Sequence, residues 1–125
     1  MLADLSVHPT IPARDLERAK RFYRDILGLK VTEERPEGIS FESGDTKLYL
    51  YPTFTPEVAA HTLASWDVAD LDAEMTELRG RGITFEEYDF PGLKTENGVA
   101  ELGGERGCWF KDSEGNILAL GQRRE

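Results

Sequence analysis

Asp15-Leu16-Glu17-Arg18-Ala19-Lys20-Arg21-Phe22-Tyr23-Arg24-Asp25-Ile26-Leu27-Gly28 is the stretch on which the fold turns. Leu16, Ala19, Phe22, Tyr23, Ile26 and Leu27 recur at three- and four-residue spacing, the period of one helical face. Arg18, Lys20, Arg21 and Arg24 fill most of the other face. Asp15 stands where a short carboxylate can accept from the free N–H groups of a first turn. Gly28 stands where a helix runs out into left-handed backbone. The spacing predicts a helix over 15–27. About 55 residues later the pattern returns, as a duplicated module rather than a solenoid. Val68-Ala69-Asp70-Leu71 can be laid on Ala13-Arg14-Asp15-Leu16, and Arg81-Gly82-Ile83 roughly on Leu27-Gly28-Leu29. Val68, Leu71, Met75 and Leu78 mark a second amphipathic helix over 70–81, closed by Gly80 or Gly82.

Around each helix the period changes to that of strands. Ser6 to Ile11 reads as a strand before the first helix. Leu29 to Glu33, Ile39 to Glu42 and Thr46 to Tyr51 follow it, with Pro36-Glu37-Gly38 and Ser43-Gly44-Asp45 as turns. Pro52 to Pro56 reads as a linker. In the second half, His61 to Val68, Ile83 to Tyr88, Cys108 to Lys111 and Asn116 to Leu120 read as strands. Gly92 to Gly107 forms a glycine-rich hairpin with a strand at Val99 to Leu102, and Asp112-Ser113-Glu114-Gly115 forms the last turn. The expectation is an α+β chain of two tandem β-α-β-β-β modules, near 1–54 and 57–125, within one domain.

The 125 residues suit one ordinary domain, and 39% apolar content is enough for a core. Asp and Glu number 24 against 15 Lys and Arg, a formal charge of -9. That field repels phosphate backbones and anionic membrane surfaces, which argues against nucleic-acid and membrane partners. Cys108 is the single cysteine, so it can form neither an intrachain disulfide nor a thiolate metal cluster, and it reads as a structural thiol. No apolar run approaches the ~18 residues of a membrane span, and Met1-Leu2-Ala3-Asp4 lacks the basic start of a signal peptide. A cytoplasmic protein is expected.

The run Asp15-Leu16-x-x-Ala19-x-x-Phe22-Tyr23-x-x-x-Leu27-Gly28 resembles the first-module signature of the vicinal oxygen chelate superfamily, the glyoxalase, bleomycin-resistance and extradiol dioxygenase group. Trp109-Phe110-Lys111-Asp112-Ser113-Glu114-Gly115-Asn116-Ile117-Leu118 is similar to its closing hairpin, with Ser113 where proline is usual. The resemblance implies modules whose strands curl into a cup, a cavity built from two of them, and a homodimer. In catalytic members it implies a divalent metal held by His, Glu or Gln from the first and fourth strands of each module. Carried over residue by residue, the four positions are His8, Tyr49, Leu63 and Ala119. His61 lies two residues before Leu63, where a slip in register would make it a second imidazole. One imidazole does not make a site, a phenol must first lose a proton with a pKa near ~10, and Leu63 and Ala119 have no donor atoms. The residues therefore disfavour a metal cofactor, with His8 and His61 the only candidates for one.

Strand alternation assigns the remaining lining. His8 and Thr10, then Lys47, Tyr49 and Tyr51, face the cup of the first module. Leu63, Ser65, Trp109, Lys111, Ile117 and Ala119 face that of the second. Aromatic and apolar walls with a few polar handles are the usual make-up of a small-molecule site. The reading that follows is a metal-free small-molecule-binding protein taking an aromatic or apolar ligand, with the acidity suiting a cationic one. Two alternatives stand beside it. One is a metal-dependent lyase, isomerase or dioxygenase in which His8 is the candidate catalytic group. The other is an interaction module whose cup is filled by its own side chains.

Overall fold

The computed structural model describes residues 1–55 and 57–123. Pro56, the end of the expected linker, and residues 124 and 125, the end of the second module, lie outside it. The chain divides into two compact units, Met1–Val58 and Ala59–Glu125.

In the first unit, β1 (Thr10–Ala13), β2 (Lys30–Arg35), β3 (Gly38–Ser43) and β4 (Thr46–Pro52) form a sheet of order β1-β4-β3-β2. β1 runs parallel to β4 and the other pairs are antiparallel. Helix α1 (Leu16–Arg21) crosses from β1 to β2. The Asp15 carboxylate accepts from the Arg18 N–H at 3.0 Å, as its position implied. The helix widens into a π-turn over Phe22–Ile26, with Leu27 N–H donating to Phe22 O, before Gly28 turns it out at φ 78°. One face of the sheet is covered by apolar packing. Ile11, Ala13, Phe41, Leu50 and Tyr23 have no exposed area, and Ile39 and Leu48 have almost none.

The first strand begins later than the sequence suggests. Ser6–Pro9 is outside β1, and only the Pro9 carbonyl joins the sheet, accepting from Tyr49 N–H at 3.0 Å. His8 therefore sits on the lead-in to the strand.

The second unit repeats the scheme and extends it. β5 (Thr62–Asp67), α2 (Leu71–Gly80), β6 (Asp89–Phe90), β7 (Leu93–Glu96), β8 (Val99–Leu102), β9 (Glu105–Lys111) and β10 (Ile117–Arg123) follow in chain order. The sheet order is β5-β10-β9-β8-β7-β6, with β5 parallel to β10. Asp70 caps α2 by accepting from Ala73 N–H at 3.1 Å. Gly82, at φ 96°, closes it, with Ile83 N–H returning to Leu78 O. Leu71, Met75, Leu78, Cys108, Phe110, Leu118 and Leu120 form the core beneath the helix.

Ile83 to Tyr88 is not the strand expected of it. Ile83 and Phe85 are buried in alternation, yet against β9 the segment makes one bridge, Phe85 to Phe110, and one bond from Glu86 N–H to Trp109 O. Tyr88 bonds to Thr95 instead, its carbonyl accepting from Thr95 N–H at 3.0 Å and its N–H donating to Thr95 Oγ1 at 2.8 Å. The outer edge of β9 has two tenants. β8 pairs with Glu105, Arg106 and Gly107, which leaves only the far end for residues 85–86. The last strand also runs past the expected Leu120 to Arg123, because β9 starts at Glu105 and gives it a partner all the way.

Candidate functional site

Each sheet has a helix-covered face and an open face, and the expected site residues are sorted by parity between them. In β4, Leu48 and Leu50 point under α1. Lys47, Tyr49 and Tyr51 alternate to the open face, where Tyr49 is the partner of Thr10 and of Ser40, and Tyr51 of Pro12. Thr10, Lys47, Tyr49 and Tyr51 thus share one face, as expected. Tyr49 is half-buried, and its hydroxyl donates to the Glu37 carbonyl at 3.2 Å. Its ring lies over Gly38, so closely that a side chain at that position would strike the phenol. Across from Ser40 and Gly38, Glu33 and Arg35 form an ion pair at 2.7 Å.

Half-buried His8 lies in a cavity of about 610 Å³ with Lys47, where Ser6, Val7, Asp45 and Thr46 complete the lining. Tyr49 and Tyr51 do not line it. Its other wall is the β3–β4 turn, which sequence reading treats as a connector only.

In the second unit, Trp109 is the partner of Ala119, and Ala119 of Ser65. All three alternate with the buried Cys108, Phe110, Leu118 and Leu120 and so face away from α2. Leu63 falls at a register shift between β5 and β10, and His61 is exposed ahead of β5. Neither side chain is held in the line formed by Ser65, Ala119 and Trp109. Trp109 meets Tyr88 edge to face at 5.6 Å, and Tyr88 stacks on Phe90 at 5.8 Å. Burial, and after it the Glu86 carboxylate, push the Tyr88 hydroxyl above its ordinary pKa. Glu86 also faces Lys111 at 3.6 Å. Tyr88 is a candidate lining residue the sequence did not disclose, since its place depends on the broken pairing of residues 83–88.

The donor set does not suit a divalent cation. Among the described residues no three His, Cys, Asp or Glu side chains gather as ligands would. The Tyr49 hydroxyl is engaged with a carbonyl, and Leu63 and Ala119 offer no donor. Cys108 offers none either: burial pushes its thiol up to about 11, so it stays protonated and unreactive at neutral pH.

Residues 6–120 match the family model of the Glyoxalase/Bleomycin resistance protein/Dioxygenase superfamily. The chain belongs to that superfamily. Solved glyoxalase-type structures share its fold. A bleomycin-binding protein from bleomycin-producing Streptomyces verticillus, complexed with copper(II)-bleomycin, is 24% identical with a TM-score of 0.72, each chain covered over 97%. A lactoylglutathione lyase from Agrobacterium tumefaciens is 22% identical with a TM-score of 0.68, over 94% of this chain and 92% of that one. A putative glyoxalase family protein from Bacillus anthracis is 14% identical with a TM-score of 0.72, over 96% and 97%. At these identities the likeness is one of fold, and the fold serves binding and catalysis alike.

Proposed function

We propose that this superfamily member is a metal-free small-molecule-binding protein whose ligand is aromatic or apolar, with a cationic group favoured by the charge of -9. One observation carries the reading. The open sheet faces present Tyr49, Tyr51 and Trp109, while the positions that would hold a metal carry Tyr49, Leu63 and Ala119. Rings add about 0.5–1.5 kcal/mol each through stacking, beyond the area they bury. Thr10, Lys47 and Ser65 supply polar handles beside them, and His8 is the orienting group on the lead-in to β1. The Streptomyces verticillus protein, which binds copper(II)-bleomycin, supports a sequestering role for this fold. A homodimer is part of the proposal, since Leu2, Leu5, Val7 and Phe54 are each more than two-thirds exposed in one chain.

Calorimetric titration of chelator-treated protein with bleomycin and with simple aromatic cations tests it. Binding should survive metal removal and weaken about tenfold, near 1.4 kcal/mol, in Tyr49→Ala or Trp109→Ala, with no product formed. Turnover of any bound compound, abolished by His8→Ala with affinity spared, would make the protein an enzyme. About one metal per chain, lost in that variant, would overturn the metal-free reading and revive the enzyme alternative.

A further inference from the structure

On the α2 side of the second sheet, opposite the Trp109 face, the helix and the β7–β8 hairpin enclose a cavity of about 790 Å³. Met75 and Arg79 line it from α2, and Leu93, Lys94 and Val99 from the hairpin, with the exposed ring of Phe90 at its rim. Its cations are of two kinds. Arg106 is spent on carboxylates, lying 3.0 Å from Asp72 and 3.7 Å from Glu101. Arg79 is not. Arg24, Arg35 and Arg81 also each lie against a carboxylate. Arg79 instead donates from Nη2 to the Asn97 carbonyl at 2.8 Å and lies over the Phe85 ring at 5.1 Å. Among the described residues neither Arg79 nor Lys94 has a carboxylate within 4.0 Å, in a chain with nine acidic groups to spare.

The guanidinium is also held in place. Asn97 and Gly98 form a turn with φ of 52° and 83°. A Cβ on Gly98 would come 2.9 Å from Phe85 Cβ and 3.4 Å from Arg79 Nη2, so only glycine lets the turn close on the arginine. The Glu87 carboxylate fastens the turn by accepting from Gly98 N–H at 3.0 Å. A planar donor group fixed before any ligand arrives, with donors left over, is the arrangement that recognises a carboxylate.

We infer that this cavity is a binding site for a small organic monoanion, a carboxylate on an aryl or alkyl body. The carboxylate meets Arg79 and Lys94, and the body lies on Met75 and Val99, with Leu93 and Phe90 at the cavity's edge. The lining carries three carboxylates, Asp72, Glu96 and Glu101, against the three cations Arg79, Lys94 and Arg106, so it is neutral overall. With Asp72 and Glu101 turned to Arg106, the positive end is the local pair Arg79 and Lys94. A neutral lining with two cations at one end suits a carboxylate monoanion better than a phosphate dianion. The inference does not depend on the ligand proposed for the open faces.

Titration with phenylacetate and with its neutral amide, phenylacetamide, followed through backbone amide resonances, tests it. Phenylacetate should shift the signals of α2 and of Asn97 and Gly98 saturably, and the amide should bind about tenfold more weakly for want of a charge-assisted bond. Lys94→Gln, an exposed substitution without packing cost, should weaken phenylacetate several-fold and leave the amide unchanged. Arg79→Gln should weaken it by about tenfold or more. Should Arg79→Gln unfold the hairpin, the Lys94 variant and the acid–amide comparison decide the matter alone. Equal binding of acid and amide, shifts confined to Trp109 and Ala119, or no shift at millimolar phenylacetate would each overturn the inference.

Discussion

Gly38→Ala should damage the first unit through a single contact. Gly38 opens β3 on the open face, and an added Cβ would enter the Tyr49 ring and come 2.6 Å from the Leu50 carbonyl. That carbonyl belongs to the strand directly paired with β3, where Ile39 and Leu50 are partners, so it cannot move without opening the ladder. The ring must give instead. Lifting it breaks the bond from the Tyr49 hydroxyl to the Glu37 carbonyl. Overpacking of this kind costs about 1–3 kcal/mol, and the lost bond roughly 0.5–1 kcal/mol more. The expected loss is about 2–3 kcal/mol, a fall in melting temperature on the order of 10 °C for a chain of this size.

The measurement is a double-mutant cycle by thermal or urea unfolding, with Gly38→Ala made in the native chain and in Tyr49→Ala. Once the ring is gone, only the carbonyl contact remains. The alanine should then cost at least about 1 kcal/mol less than before, well outside the ~0.5 kcal/mol scatter of independent sites. Equal costs in the two backgrounds would refute the placement of Tyr49 over Gly38, and with it the low aromatic wall on the open face.

Three further outcomes are expected. Asp112 Oδ1 accepts from the Glu114 and Asn116 N–H groups at 2.8 and 2.9 Å in a buried turn, so Asp112→Ala should cost about 3 kcal/mol by equilibrium unfolding. Asp112→Asn should recover only part of it, because its amide NH2 would face the Asn116 Nδ2 that now donates to Oδ2 at 3.0 Å. Cys108 has a folded pKa raised from 9.0 to about 11, so the unfolded chain loses its thiol proton first. Its contribution to stability is whole below pH 9 and lost as pH rises to 11, a decline that Cys108→Ala should remove from the unfolding profile. Light scattering at micromolar concentration should give twice the 14.1 kDa chain mass, and a value near 14.1 kDa itself would withdraw the dimer.

The parts of the fold legible in the sequence were those decided locally. Asp15 and Asp70 cap their helices because an N-cap needs only a short acceptor and the next turn. Tyr49, Ser65, Trp109 and Ala119 reached the open faces because alternation is fixed once a strand exists. What stayed hidden was competition between segments distant in sequence. Residues 83–88 have a strand's alternation, yet β8 takes half of the β9 edge they would need. Tyr88 comes to lie against Trp109 through that partial pairing, which no local period encodes.

Gly38 and Tyr49 show how the two kinds of information combine at the site. Read alone, Tyr49 stands at a position that the resemblance assigns to a metal ligand in catalytic members, and Gly38 is the end of a turn. The cross-strand register brings the phenol across the glycine, and any larger residue at 38 would force the ring up from the sheet. The hydroxyl, bonded to the Glu37 carbonyl, then fixes the ring in that low position. A tyrosine held so keeps the open face low and aromatic, and it is on that shape that the proposed stacked ligand rests.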